Sequence, residues 1–156
     1  MINDLLNYLF SSEVDKELDA IKNEEGIIYA EAVPKFEHWN SRIKQFSCSL
    51  NEKIGLYQPI FGKLKFSETE RQIILSRFRT KMEISKLATD YIMKIGHYSR
   101  QIYKAKSLEE KRECLSFLRQ YAQDETIKID SLIKNEEEVV KDIIENWQWS
   151  QIIKII

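Results

Sequence analysis

The chain has 156 residues, 24 basic against 25 acidic side chains, and a hydrophobic share of 43%. That length suits one domain with a real core. The near balance of charge argues against a dedicated nucleic-acid-binding domain, which is usually basic overall. Four Gly and two Pro leave little material for loops, so the composition predicts an all-α protein of long elements.

Taken in chain order, Ile2, Leu5, Leu6 and Leu9 share one face and open a first helix over roughly 2–24, with Ser11-Ser12 as a candidate break. Val14, Leu18 and Ile21 continue it. It is expected to end at "NEEG", where Gly26 suits the left-handed position after a helix. Tyr29, Ala32, Phe36, Trp39, Ile43, Phe46, Leu50 and Tyr57 keep a helical rhythm over 27–57. Pro34 inside that run predicts a kink or restart near Val33, because proline removes an amide and clashes with the preceding turn. "GLYQPIFGKLKF", 55–66, is the clearest loop.

Two further helices have marked starts. Ser67 with Glu70 and Ser107 with Glu110 both fit the capping box, in which hydroxyl and carboxylate satisfy the free amides of a first turn. Over 67–106 the seam is Ile84, Ala88, Tyr91, Ile95, Tyr98, Ile102 and Ala105. Over 107–149 it is Leu115, Leu118, Ala122, Glu125, Ile129, Leu132, Glu136, Val139 and Ile143. Steps of three and four are those of a coiled-coil-like packed helix. Each of these helices would be on the order of 60 Å long at 1.5 Å per residue. The expected fold is a single all-α domain over 1–156: an elongated antiparallel four-helix bundle, up-down-up-down. The alternative is three long kinked helices, the first two merged through Gly26.

Glu125 and Glu136 on the last seam raise the question of metal chemistry. A di-metal carboxylate bundle needs two Glu-x-x-His pairs, yet Lys35 and Lys94 stand three residues before His38 and His97. "EEKRE", with Glu109, Glu110 and Glu113, resembles half of the magnesium cage of the all-α nucleotide pyrophosphatases, but no Glu-x-x-Asp follows it. An acidic first turn complementing the helix dipole explains the same residues. A helical ribonuclease of the HEPN kind would need an arginine shortly ahead of a histidine, and neither histidine has one. No Gly-rich phosphate loop is present. The expectation is a chain without catalytic residues, metal or cofactor. Ion pairs with Lys or Arg of a neighbouring helix are the simplest use for Glu125 and Glu136, a metal or substrate role the alternative.

Cys48 and Cys114 stand apart, which makes a reducing, cytoplasmic setting the default. The N-terminus lacks the pattern of a secretory signal, and no apolar run is long enough to span a membrane.

Charge is uneven along the chain. Residues 63–106 hold eleven basic and four acidic side chains, whereas 107–149 hold six basic and eleven acidic. Arg79, Lys86, Lys94, His97, Arg100 and Lys104 fall on one helical face opposite the seam, interrupted by Glu83 and Asp90. This stripe could meet the acidic helix that follows, in the same chain or in a homodimer; it could bind an acidic protein; or it could track phosphates of nucleic acid or an anionic membrane. The chain ends are apolar too. Trp147, Trp149, Ile152, Ile153 and Ile156, with Ile60 and Phe61 of the loop, form either a self-packed cap or a partner-binding patch. The function expected is a non-enzymatic protein–protein interaction module, an adaptor, inhibitor or assembly component, that uses an apolar end patch and the basic stripe. The alternatives are a small nucleic-acid-binding bundle that uses the stripe and, third, a helical enzyme with a carboxylate-held metal.

Overall fold

A computed structural model describes the backbone of residues 2–56 and 68–146, and the side chains of Ile2, 13–54 and 72–146. Three helices account for them: α1 (Ile2–Leu56), α2 (Glu68–Lys104) and α3 (Leu108–Asn146). There is no strand among the described residues. Among the described residues the fold is therefore all-α, with three helices in place of the expected four; the first two are merged through Gly26, as in the three-helix alternative.

The difference lies at Gly26. No glycine among the described residues has a positive φ, so Gly26 is an ordinary helical residue and α1 runs through it, through Ser11-Ser12 and through Pro34. The reason is tertiary. Glu25, beside the glycine, is buried and held by two hydroxyls of α2, Ser99 and Tyr103. That attachment holds the chain helical across a residue that would disfavour a helix by only about 1 kcal/mol.

The turn between α2 and α3 follows its sequence signal. Only residues 105–107 leave the helical state. The Glu110 amide donates to Ser107 Oγ at 3.1 Å, and the Glu110 carboxylate accepts from the Lys106 amide at 3.1 Å. This is a near variant of the capping box, shifted one residue toward the turn. Lys111 Nζ donates to the Ile102 carbonyl at 2.8 Å, which satisfies one free acceptor at the end of α2.

The helices form two compact units, Met1–Lys35 with Asp90–Thr126, and Phe36–Thr89 with Ile127–Ile156. Each draws on all three helices. In the first unit, Glu17 meets Arg112, Glu24 meets Arg119 and Lys35 meets Thr126, at separations of 95, 95 and 91 residues. In the second, Trp39 meets Asp130 and Arg42 meets Glu137, again 91 and 95 residues apart. A separation constant to one helical turn means that α1 and α3 run parallel within each unit. The α2 segments run antiparallel to both: Tyr91 and Tyr98 reach Tyr121 and Phe117 in the first unit, and Arg77 reaches Glu136 in the second.

The first unit is cored by Ile21, Ala32, Tyr91, Ile95, Ile102, Leu115, Leu118 and Ala122. In the second, Trp39, Ile43, Phe46, Leu50, Ile84, Ala88, Ile129, Ile133, Val140 and Ile143 do the same work. Burying each large side chain contributes about 1.5–3 kcal/mol. The seams depart from a strict three–four alternation at one step per helix. On α2 the buried series reads Tyr91, Ile95, Ser99, and on α3 it passes from Ile129 to Ile133. A straight helix turns 3.6 residues at a time, so two successive four-residue steps restore its phase. Hence Ser99, Ile133 and Val140 are buried, and Tyr98, Leu132 and Val139 lie only half-buried beside them. Tyr29, expected in the seam, is exposed.

Candidate functional site

The two seam carboxylates part company. Glu136, 2% exposed, accepts from Arg77 Nη1 at 2.7 and 2.8 Å. Burial raises its pKa above the ordinary carboxylate range, and the nearby guanidinium opposes that rise. Glu125 is half-buried and makes no ion pair among the described residues. Its charge, after burial, helps push the Tyr121 phenol upward. A third carboxylate was not foreseen. Glu25 is 5% exposed, accepting from Ser99 Oγ at 2.5 Å and Tyr103 OH at 3.0 Å. Stepping seven residues back from the seam position Ala32 reaches Glu25; that signal was masked by Gly26. No cluster of three or more His, Cys, Asp or Glu among the described residues is arranged to hold a metal ion. Cys48 and Cys114 are both free thiols.

The arginines of the helix interfaces are engaged. Arg42 pairs with Glu137 and Asp130, and Arg77 with Glu136. Arg112 pairs with Glu17, and Arg119 with Glu24 at 2.6 Å. Those hydrogen bonds lower the pKa of Glu17 and Glu24.

The basic stripe is different. Arg79, Lys86, Lys94, His97, Arg100 and Lys104 are all exposed on α2, and none forms an ion pair among the described residues. Lys94 stands 5.8 Å from the centre of the Tyr121 ring and His97 packs edge-on to Tyr98. The acidic residues of α3 that do pair inside the chain pair with Arg42 of α1 and Arg77 of α2, outside the stripe.

Two large apolar side chains interleave with these cations. In the second unit, Met82 lies three residues after Arg79 and four before Lys86, and is 70% exposed. In the first unit, Met93 lies four before His97 and seven before Arg100, and is 64% exposed. At 3.6 residues per turn each methionine shares the face of its basic neighbours.

The expected anchors Ile60, Phe61, Trp147, Trp149, Ile152, Ile153 and Ile156 lie outside the described residues. No helix among the described residues is long and apolar enough to cross a membrane. No protein-family model, curated protein or solved structure matches this chain.

Proposed function

We propose that the chain is a non-enzymatic interaction module whose α2 outer face binds an acidic protein. One observation carries this reading: six basic side chains are exposed along that face and make no ion pair among the described residues, while the interface arginines on all three helices are paired. Unpaired surface cations raise encounter rates with acidic partners and orient them, more than they add affinity. Met82 and Met93 supply what charge does not. A flexible thioether is suited to adaptable apolar contacts with a protein surface, whereas a phosphate backbone offers it nothing to bury. The apolar ends, with Ile60, Phe61, Trp147 and Trp149, add candidate anchors on sequence grounds.

A photo-crosslinking side chain placed at Met82 or Met93 tests this without removing a charge. In the cells that make the protein, the expected adduct is with a protein, resists nuclease and disappears in R79E/K86E/R100E/K104E. A nuclease-sensitive adduct would establish nucleic acid as the ligand, and an adduct confined to a second copy of the chain would establish self-association instead.

A further inference from the structure

Beside the stripe, within the first unit, α1 and α2 leave an open groove of about 310 Å³. Tyr29 and Val33 of α1 and Ile92, Met93, Gly96 and Arg100 of α2 are among the residues that line it. Tyr29 and Val33 are 56% and 51% exposed, so this is apolar surface that the described residues leave uncovered. Gly96 is the informative residue. Its backbone is ordinary helix, and an added Cβ would meet nothing nearer than Arg100 Nη1 at 3.6 Å. The fold therefore does not require a glycine there, although a mid-helix glycine disfavours folding by about 1 kcal/mol. What the missing side chain does leave is a shallow floor with the Arg100 guanidinium lying against it.

We infer that this groove receives one amphipathic helix of the acidic partner, its apolar face against Tyr29, Val33 and Met93 and its carboxylates on Arg100 and Lys104. The inference rests on the interaction-module reading above and names the shape of the ligand. Helix-in-groove docking needs apolar anchors at helical spacing and a charged rim of opposite sign. Tyr29 and Val33 stand four apart on one wall, Arg100 lines the other, and Lys104 follows Arg100 by four residues on α2; both cations are exposed and without an ion pair among the described residues.

The test is fluorescence anisotropy with a labelled synthetic helix bearing leucines at i, i+3, i+4 and i+7 and glutamates on both flanks. Wild-type protein is expected to bind it saturably, and Gly96→Phe, Tyr29→Ala and Arg100→Glu each to weaken binding about tenfold, close to 1.4 kcal/mol. Circular dichroism should be unchanged in each variant. If Gly96→Phe and Tyr29→Ala bind like wild type while R79E/K86E/R100E/K104E does not, the groove is wrong and the acidic-partner reading stands. If no variant weakens binding, both fall. Absence of any binding to wild type overturns the groove, and the crosslinking result then judges the broader reading alone. A dimer dissociated by Gly96→Phe would make a second copy the occupant and overturn the inference.

Discussion

Arg77 serves both oxygens of the buried Glu136 carboxylate from a single terminal nitrogen, at 2.7 and 2.8 Å, while its own buried Nε has no hydrogen-bond partner among the described residues. The pair is thus a point contact between α2 and α3 rather than a two-pronged fork. Its geometry sets what substitutions should do.

Removing the cation leaves a buried carboxylate alone, which destabilises by about 3 kcal/mol. Arg77→Met should lose about that much in urea unfolding at neutral pH. The loss should shrink in acid: burial already raises the Glu136 pKa, and without Arg77 it rises further. A carboxyl whose folded pKa is raised favours the folded state most below its unfolded pKa, and that advantage is lost as pH rises through the folded value. Arg77→Lys should lose much less than Arg77→Met, because one nitrogen makes both contacts. R77M/E136L should recover most of the stability.

The surface pairs have the opposite sign. Arg112 and Arg119 hold Glu17 and Glu24 below the usual carboxylate pKa, so their contribution is complete above the unfolded carboxylate pKa and is lost as pH falls through the folded values. In R112A/R119A the acid limb of the stability curve should be shallower than in wild type. Both side chains are exposed, so the change at neutral pH should be small. A steeper acid limb would contradict the assignment.

Among the described residues, Glu25 is held by two hydroxyls and no cation. Ser99→Ala removes the buried donor and should destabilise by about 1–3 kcal/mol. Tyr103→Phe should destabilise less, because Tyr103 is exposed and water can take its place at the carboxylate. Equal effects in thermal unfolding would contradict this ranking.

Gly26→Ala and Gly96→Ala should each stabilise the chain by about 0.5–1 kcal/mol. Neither glycine has a positive φ, and neither added Cβ would meet an atom closer than 3.6 Å. A loss of stability at Gly26 would show that α1 is interrupted there.

The helical class, the α2–α3 turn and most core positions were legible because they follow from period, caps and composition. Trp39, Ile84, Ile95, Leu118 and Ile129 sit where apolar spacing puts them. Helix count was legible only as an alternative, the first two helices merged through Gly26. Gly26 and Pro34 carry the local chemistry of a stop, and only the attachment of Glu25 to Ser99 and Tyr103 shows that α1 continues. That attachment joins residues 74 and 78 apart in the chain, which no local rule can see. The same gap hid the parallel course of α1 and α3. An alternating seam was extended past Tyr91 and Ile129 where the straight helix takes a second four-residue step, so Tyr98 and Leu132 were placed one residue from the buried Ser99 and Ile133. The exposure of the basic stripe follows directly from its position opposite the seam. That it makes no ion pair among the described residues needed coordinates, because the alternative partners lie on α3.

Everything functional here turns on whether the unpaired cations of α2 belong to an acidic partner. The binding isotherm of the glutamate-flanked helix on wild type and on R79E/K86E/R100E/K104E, read at about 150 mM salt where surface charges farther apart than roughly 8 Å are screened, puts that question most directly. The prediction is a loss of at least about tenfold in affinity with an unchanged melting temperature, since none of the four substituted side chains forms a hydrogen bond or ion pair among the described residues. Superimposable isotherms for the two proteins would contradict it.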